Sequence, residues 1–406
     1  MFKANKKNKL VTKNFFILSA INKRKNCIFA SSYLTQKYKK KLRIGVNTRL
    51  LIEDKLEGIG YFSLKTLERI SRNHPETEFI FFFDRPFSKK FVFSPNVKAV
   101  VIPLPTRHPM LWHIYFDFLL PFYLKMYRID LFLSPDGYIP TWGRTKTLPV
   151  IHDINYEHDS TFLGKKSYLR YYKHFFPKFA RKASRVATVS EFSKADISNI
   201  YKIPQDKIDV VYSAANEQYR PHTEEENIQT KARYTYGKDF FYFVGAVHKR
   251  KNLVNLFRAF DLFKNQSRSD VKLVIVGNKK WWEGEIAEAY EQMRFKDEVV
   301  FTSRLPLEEV NRIASASIAC VFVSLFEGFG LPPLEAFRSH TAAIISDTTS
   351  LPEIGADAAI YASPTDVESI AKAMNETYTQ PEKREECIRK GIVQAEKFSW
   401  DKTAEL

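Results

Sequence analysis

Two carboxylates, Glu327 and Glu335, bracket the glycine- and proline-rich stretch whose residue types are best suited to chemistry in this chain. The stretch reads Glu-Gly-Phe-Gly-Leu-Pro-Pro-Leu-Glu. It follows an apolar run at 318–323 that predicts a buried strand too short to be a helix. Since proline suits the first position of a helix, the glycines should form a bend between strand and helix. Backbone N–H groups and the positive end of the helix dipole would then favour an anion at this bend.

The chemistry suited to this stretch is the binding of a ligand that carries both phosphates and hydroxyl groups. Carboxylates repel phosphate but accept hydrogen bonds from hydroxyls. A diphosphate placed against the backbone of Gly330 and Leu331, at the helix start, would leave the two carboxylates for sugar hydroxyls. The pattern therefore indicates a nucleotide-sugar site.

The longer stretch EGFGLPPLEAF, at 327–337, resembles the signature of family 4 glycosyltransferases, also described as glycosyl transferases group 1. A bare Glu-x7-Glu pair occurs on many exposed helices, but this setting after an apolar strand is specific. The resemblance extends over roughly residues 43–406. It implies a retaining enzyme of the GT-B fold, an α/β fold in which two doubly wound Rossmann-like domains face each other across a cleft.

The resemblance also implies a reaction. The protein would move a hexose from a nucleotide-diphosphate sugar, GDP-mannose or a UDP-sugar, to a glycan or lipid-linked acceptor in cell-surface polysaccharide synthesis. Similar enzymes work without a bound metal, so we expect no metal and no cofactor beyond the donor, which is a co-substrate. Nucleic acid is not an expected partner.

The same resemblance assigns roles to several polar residues. Glu335 would hold the ribose hydroxyls of the donor, and Glu327 the hydroxyls of its sugar. His152 ends a predicted strand at 149–153, and its Ile-His-Asp setting is similar to the family pattern in which the histidine reaches the donor sugar. We therefore predict Glu327 and His152 as catalytic residues, with His152 a hydrogen-bonding group rather than a metal ligand. Asp153 would orient the imidazole or cap the next helix.

A basic loop after the strand that ends at Gly245 is the predicted diphosphate site. Basic residues at the start of a helix stabilise phosphate charge. The resemblance places Lys251 against the donor phosphates. Many relatives carry an arginine directly after the glycine, where this chain has Ala246. We therefore expect Arg250 or Lys249 to supply that contact, or the contact to be missing.

A second glycine loop, containing Gly58 and Gly60, follows the predicted first strand at 43–47. Glycines allow the backbone to approach a ligand closely. No third glycine and no acidic residue stand where a dinucleotide fingerprint needs them, so the pattern argues against an NAD site. In the family that this chain resembles, such a loop lies at the cleft near donor phosphate and acceptor, and we assign Gly58 and Gly60 to the donor site.

Short apolar strands alternate with helical segments twice along the chain, which predicts two doubly wound α/β domains. The polar, acidic stretch 223–227 is predicted to be the linker between them. We predict a basic leader at 1–42, an acceptor-side domain at 43–222, a nucleotide-sugar domain at 223–390, and a helix at 391–406 that returns toward the first domain.

Two helical segments of the first predicted domain are rich in aromatic residues. In the segment 112–127 we expect Trp112, Tyr115 and Phe116 to lie in the core or an interface rather than to form a sugar platform. The segment 168–183 is both basic and aromatic. Its basic face would be solvated, with an anionic or lipid acceptor as the alternative.

Charge is concentrated at the N-terminus. The net charge of +17 suggests nucleic acid, but residues 1–42 carry 12 Lys/Arg and no Asp/Glu, so the rest of the chain is only mildly basic. The apolar run 15–21 is far shorter than the about 20 residues that a membrane-spanning helix needs. The composition of the leader therefore predicts either a disordered tail or an arm that binds anionic lipid. We expect a cytoplasmic protein, with a peripheral position at the inner face of the membrane as the alternative.

Other classes of function stay open at this point. The three cysteines are far apart and indicate neither a disulfide framework nor a zinc site. A GT-B sugar-nucleotide epimerase would isomerise a UDP-sugar without an acceptor. A lipid- or nucleic-acid-binding protein would act through the basic leader, and its function would not depend on the residues of the donor site.

Overall fold

The computed structural model describes residues 41–406 apart from positions 54, 57, 279–281 and 283. The predicted leader therefore lies almost entirely outside the described residues. The described part contains two large parallel sheets, one formed by the N-terminal part of the chain and one by the C-terminal part. We call the two parts the N-terminal lobe and the C-terminal lobe.

The sheet of the N-terminal lobe has five parallel strands in the order β3-β2-β1-β4-β5. A bridge between Val150 and Ala187 connects it to a parallel pair, β6 and β7. The strands are β1 Arg43–Asn47, β2 Glu78–Phe83, β3 Val97–Val101, β4 Leu131–Ser134, β5 Lys146–Pro149, β6 Val186–Thr188 and β7 Ile208–Val210. Strand order reverses between β1 and β4, which is the doubly wound arrangement.

Helices cover both faces of this sheet. They are α1 Gly58–Asn73, α2 Pro109–Ile114, α3 Leu120–Met126, α4 Asn155–His158, α5 Lys166–Lys182 and α6 Glu191–Tyr201. A π-helical turn, Tyr115–Leu119, joins α2 to α3. It directly precedes α3, where Pro121 lacks the N–H group that a continuous α-helix would use.

The sheet of the C-terminal lobe has six parallel strands in the order β10-β9-β8-β11-β12-β13. The strands are β8 Phe240–Val244, β9 Lys272–Val276, β10 Val299–Thr302, β11 Ala319–Phe322, β12 Ala342–Ser346 and β13 Ile360–Ala362. The helices are α7 Glu224–Thr235, α8 Leu253–Ser267, α9 Glu285–Glu291, α10 Leu307–Ala316, α11 Leu331–Arg338, α12 Leu351–Gly355, α13 Val367–Thr379, α14 Pro381–Glu396 and α15 Trp400–Glu405. This sheet repeats the doubly wound order of the first.

The phenylalanine-rich strand β2 shows why such sheets are buried on both faces. Successive side chains of a strand point to opposite faces. Phe79, Phe81 and Phe83 accordingly pack into one hydrophobic cluster, while Ile80 and Phe82 pack into another on the other side of the sheet. A parallel strand between two helical layers therefore needs an unbroken apolar sequence.

Three aromatic residues of the segment before β4 are buried, as predicted. Trp112, Tyr115 and Phe116 belong to the hydrophobic core of the N-terminal lobe. The indole N–H group of Trp112 donates to the carbonyl of Thr106 at 2.8 Å. Their role is structural, because they hold the crossover helices against the sheet.

The stretch 223–227 forms the first turn of helix α7 instead of the predicted linker. The Thr223 hydroxyl accepts from the Glu226 N–H group, and the Glu226 carboxylate accepts from the Thr223 N–H group. This capping box explains why a polar, acidic stretch begins a helix. The boundaries predicted near 222 and 390 remain predictions, but residue 390 lies inside α14, so the predicted last helix 391–406 is the end of α14 followed by α15.

The last helix, α15, contacts the N-terminal lobe. The Trp400 ring lies edge-on to the rings of Tyr61 and Phe62 of α1, and its indole N–H group donates to the carbonyl of Ala215 at 3.2 Å. The guanidinium of Arg69 is 2.7 Å from the carboxylate of Asp401. The chain end therefore ties the two lobes together on one side.

Candidate active site

A cavity of about 590 Å³ lies between the lobes. Its walls are formed at the carboxyl ends of the strands, where doubly wound sheets place their ligands. The N-terminal lobe contributes residues from the start of α1, including Gly58 and Phe62, and the end of the β5 segment, His152 and Asp153. The C-terminal lobe contributes the ends of β8, β9 and β10 and the glycine-rich bend before α11.

Glu327 forms the charged centre of this cavity with two cations. Its Oε1 atom is 2.6 Å from Lys251 Nζ, and its Oε2 atom is 2.8 Å from an Arg250 guanidinium nitrogen. Lys251 Nζ also lies 4.5 Å from the centre of the Phe322 ring. One buried carboxylate and two cations therefore meet at the carboxyl ends of β8 and β11.

The electrostatics of this cluster favour the ionised carboxylate. Burial opposes ionisation of Glu327, but Arg250 and Lys251 outweigh that effect and lower its pKa to about 2. Burial lowers the pKa of Lys251, against the attraction of Glu327. The cluster carries a net positive charge beside the cavity, which favours an anionic ligand.

A short 3-10 turn, Lys249–Lys251, determines which cations face the cavity. The Leu325 N–H group donates to the carbonyl of Arg250 at 2.9 Å, and the Arg250 side chain donates to the carbonyl of Phe326 at 2.7 Å. Lys249 instead lies 3.8 Å from Asp159 of the N-terminal lobe and does not line the cavity. Of the two candidates that the sequence left open, Arg250 is the one beside the predicted phosphate site.

The helix start at Gly330 offers fewer donors than the sequence pattern suggests. Gly330 has φ of +111° and precedes α11, which begins at Leu331. Pro332 and Pro333 follow, and neither has a backbone N–H group. Gly330 and Leu331 line the cavity. The start of α11 therefore offers its helix dipole but few backbone N–H groups to a ligand. Most of the positive charge that could hold a diphosphate comes from Lys251 and Arg250.

Gly328 is the point at which the bend touches the opposite lobe. A Cβ atom on Gly328 would lie 2.6 Å from the carbonyl oxygen of His152 and 2.7 Å from Asp153 Cβ. The hydroxyls of Ser190 and Ser193 donate to the Gly328 carbonyl at 2.7 and 3.1 Å. Only glycine allows the lobes to approach this closely.

His152 lies on the cavity wall with one ring nitrogen engaged. Its Nε2 atom donates to the carbonyl of Pro135 at 2.8 Å, and its ring lies edge-on to that of Phe62 at 4.9 Å. Burial lowers the pKa of His152, which favours the neutral imidazole. Its Nδ1 atom is then an acceptor for a hydroxyl. Asp153 accepts from the N–H group of Asn155 at 3.1 Å and so helps to begin α4.

Two predicted donor-site residues do not line the cavity. Gly60 lies in α1, where an added Cβ atom would come within 2.9 Å of the carbonyl oxygen of Leu50, so close packing accounts for a glycine there. Glu335 lies one turn into α11, and its carboxyl group is hydrogen-bonded to the hydroxyl of Tyr219. The ribose-binding role of Glu335 remains a prediction.

Glu335 should make stability depend on pH. Burial raises its pKa from the ordinary 4.5 to about 7, with Tyr219 opposing the shift. The folded state then binds more protons than the unfolded state between these values, so the free energy of unfolding falls as pH rises through this range. We expect Glu335→Gln to gain on the order of 1 kcal/mol or more over wild type between pH 5 and pH 8.

Urea unfolding of both proteins at the two pH values measures this difference. The exposed helical residue Glu382 provides the control, since Glu382→Gln should follow wild type at both pH values. An equal pH dependence in wild type and Glu335→Gln would contradict the assignment.

Several cavity residues were not predicted from the sequence. Asn278, Arg304 and Val310 line the end of the cavity beside β9 and β10. The Arg304 guanidinium donates to the carbonyl of Leu56 at 3.3 Å, across the gap between the lobes. Position 278 directly follows the glycine at the end of β9, which is the signal that could have identified it.

The described residues contain neither a candidate metal cluster nor a candidate membrane-spanning helix. In that part of the chain, no three or more His, Cys, Asp and Glu side chains cluster in a way that could hold a metal ion. Of the helices within 41–406 that the structure describes, none has both the length and the apolar character needed to cross a bilayer.

Two doubly wound parallel sheets that face each other across a ligand-sized cleft define the GT-B class of fold. Known proteins agree with that class. A family model for "Glycosyl transferases group 1" matches residues 224–394, and one for "Glycosyltransferase Family 4" matches residues 66–219. The matched ranges together take in most of both lobes.

Curated relatives and solved structures extend the likeness over most of the chain. The O-antigen chain mannosyltransferase B of Escherichia coli is 25% identical over 358 residues, which cover 85% of this chain and 93% of that protein. The O-antigen chain mannosyltransferase RfbU of Salmonella typhimurium is 27% identical over 290 residues, with 71% and 76% covered. The sucrose-phosphate synthase of Thermosynechococcus elongatus has a TM-score of 0.71 at 16% identity, with 90% and 96% covered.

The chain belongs to glycosyltransferase family 4 and is a glycosyltransferase of the GT-B fold. The family and fold predicted from the Glu-x7-Glu stretch are thereby confirmed.

Proposed function

We propose that this protein is a retaining mannosyltransferase that acts in cell-surface polysaccharide synthesis. Its donor is a nucleotide-diphosphate mannose, and GDP-mannose is the first candidate. The acceptor is a glycan or a lipid-linked glycan. The observation that carries the proposal is the cluster of Glu327 with Lys251 and Arg250 on the wall of the cleft. The choice of mannose is supported by the names of the two curated relatives.

The cluster suits the departure of a diphosphate. Transfer breaks the bond between the anomeric carbon and the diphosphate oxygen, and the electron pair stays on the diphosphate. The acceptor oxygen forms the new bond to the sugar, and its proton passes to the departing diphosphate oxygen. Lys251 and Arg250 would stabilise the negative charge that develops on the leaving group.

Glu327 keeps both cations in position before the donor arrives. The side chain is 9% exposed and pairs with both of them. Since it is already ionised, it does not need to lose a proton when the donor binds. We infer that Glu327 also accepts hydrogen bonds from the donor sugar, and that His152 does so from the opposite wall through Nδ1.

A donor panel tests the proposal. Purified protein is incubated with GDP-mannose, UDP-glucose, UDP-galactose and dTDP-glucose, and both thermal shift and nucleotide release are measured. We expect GDP-mannose to stabilise the protein and to be hydrolysed slowly, and a mannosylated acceptor to accelerate nucleotide release. A response to a UDP-sugar alone would replace the proposed donor. Isomerisation of a sugar nucleotide without transfer would overturn the proposed reaction.

A further inference from the structure

A row of exposed apolar side chains runs along the crossover between β3 and β4. Its members, which we call the apolar row, recur at every fourth residue from α2 through the π-helical turn to α3. They are Met110, Ile114, Phe118, Phe122 and Met126. Phe118 and Phe122 are 61% and 64% exposed. Isolated exposed apolar residues are ordinary, but a continuous row of this kind marks an interaction surface.

The opposite side of the same crossover is fully packed. Trp112, Phe116, Leu120 and Leu124 are buried in the core of the N-terminal lobe. The crossover is therefore apolar on both sides although only one side has a partner within the described residues. Packing of the hydrophobic core therefore does not explain why the residues of the apolar row are apolar.

Trp142 extends the apolar row toward helix α5. Its side chain is 56% exposed, and its indole N–H group donates to the carbonyl of Asp117 at 2.6 Å. The Lys182 ammonium donates to the carbonyl of Trp142 at 3.0 Å. An exposed tryptophan is thus held between the crossover and the end of α5.

Helix α5 adds positive charge beside the apolar row. It contains six Lys/Arg residues and no Asp/Glu. Lys166, Arg170, His174 and Lys178 are exposed at every fourth residue. The two helices touch, because the ring of His113 in α2 lies 5.6 Å from that of Phe175 in α5.

The carboxylate of the crossover is buried. Asp117 is the one carboxylate between 103 and 128, and it is 3% exposed. It accepts from the N–H group and the hydroxyl of Thr141 at 2.6 and 2.8 Å. The face that combines the apolar row, Trp142 and the basic side of α5 is therefore apolar and cationic.

We propose that this face docks onto an anionic lipid bilayer. Apolar side chains at four-residue spacing can enter the boundary between headgroups and acyl chains, while neighbouring Lys and Arg side chains bind acidic headgroups. Tryptophan favours the interface between these regions. The basic side chains of α5 call for a negatively charged partner, and the apolar row calls for a partner with an apolar layer.

The same combination argues against other partners. A nucleic acid would be attracted by α5, but its phosphates offer nothing to Phe118 and Phe122. A second copy of this chain would place two copies of the basic α5 near each other, since a symmetric contact pairs a surface with itself. An anionic bilayer satisfies both the charge and the apolar surface.

Docking on this face would also bring the bilayer near the cleft. The apolar row begins at Met110, shortly after the carboxyl end of β3. The cleft lies at the carboxyl ends of the parallel strands of this lobe. A bilayer along the apolar row would thus lie near the rim of the cleft on the N-terminal lobe, where the acceptor would enter. The role of the acceptor rests on the proposed function, but docking onto the bilayer does not.

Vesicle sedimentation of the full-length protein tests the proposal without any donor. The probes are vesicles of equal parts phosphatidylglycerol and phosphatidylcholine, compared with pure phosphatidylcholine. We expect binding to the anionic vesicles only. The double variant Phe118→Ser/Phe122→Ser should lower the partition coefficient for anionic vesicles about tenfold or more. The double variant Arg170→Glu/Lys178→Glu should lower it by at least about fivefold for each basic residue replaced.

Matched variants in the C-terminal lobe serve as controls. Two double variants, Ile228→Ser with Val393→Ser and Lys372→Glu with Arg389→Glu, change exposed apolar and exposed basic residues and should bind like wild type. Thermal unfolding of every variant checks the fold. Quenching of tryptophan fluorescence by brominated lipid should decrease in Trp142→Phe.

Two outcomes would overturn the proposal. Binding that is unchanged in both docking-face variants would assign membrane contact to another part of the chain, such as residues 1–42. A wild-type dimer in sedimentation velocity that the Phe118 and Phe122 changes convert to a monomer, without any vesicle binding, would assign the face to a second copy. If a protein binds vesicles normally but has no transfer activity, the result would contradict the proposed function and leave the docking proposal intact.

Discussion

Replacing Lys251 with methionine should lower kcat/KM for sugar transfer by about 10²- to 10³-fold, the usual effect of removing one group that stabilises charge on a leaving oxygen. Lys251 Nζ is 2.6 Å from Glu327 and lies at the cavity wall. Methionine preserves the apolar stem beside the Phe322 ring but removes the cation. Because Arg250 still neutralises Glu327, the protein should stay folded.

The neighbouring lysine provides a matched control. Lys249 belongs to the same short turn, but its partner is Asp159 and it does not line the cavity. Lys249→Met should retain turnover to within about threefold, the size of an exposed-charge effect. Steady-state kinetics with the donor found in the panel and thermal unfolding separate loss of chemistry from loss of fold. Equal turnover in the two variants would remove Lys251 from the proposed mechanism.

Replacing Gly328 with alanine should separate the lobes. Its new Cβ atom would have to fit within 2.6 Å of the His152 carbonyl oxygen and 2.7 Å of Asp153 Cβ, so the backbone on one side must move. Displacement of reacting groups by about 1 Å costs about 10²-fold in rate. The bonds from Ser190 and Ser193 to the Gly328 carbonyl would also be strained. We therefore expect about a hundredfold loss of transfer activity with both lobes still folded.

Small-angle scattering and transfer assays check this prediction together. The control is Gly58→Ala on the opposite wall, where, among the described residues, an added Cβ atom meets nothing within 4 Å beyond its chain neighbours and its own helix backbone. That variant should give the scattering curve of wild type. An unchanged radius of gyration and full activity in Gly328→Ala would show that the contact between the lobes is not needed for catalysis.

The alternation of strands and helices is readable from local sequence. Apolar runs such as those of β2, β8 and β11 predicted buried parallel strands, because a strand covered on both faces needs apolar side chains at every position. The family and fold followed from the Glu-x7-Glu stretch and are confirmed. The stretch 223–227 was misread, although its Thr-x-x-Glu spacing is the local signal of a helix start.

The exposed apolar row could not be predicted in the same way. Apolar residues surround the whole crossover at 109–126, and Trp112, Tyr115 and Phe116 were correctly expected to be buried. Sequence periodicity does not say which side of such a helix meets the sheet. Only packing against β2 and α5 leaves Phe118 and Phe122 at the surface.

The sequence by itself determined the types of chemistry available to this protein: a carboxylate pair, a basic loop and glycines, each placed at a strand end by local pattern. The tertiary structure decided which of them meet. Lys251 and Arg250 pair with Glu327, more than 70 positions away, while adjacent Lys249 lies beside Asp159 and Glu335 beside Tyr219. The physical reason is that short-range preferences act on each segment alone, whereas these contacts exist only after two lobes have packed against each other.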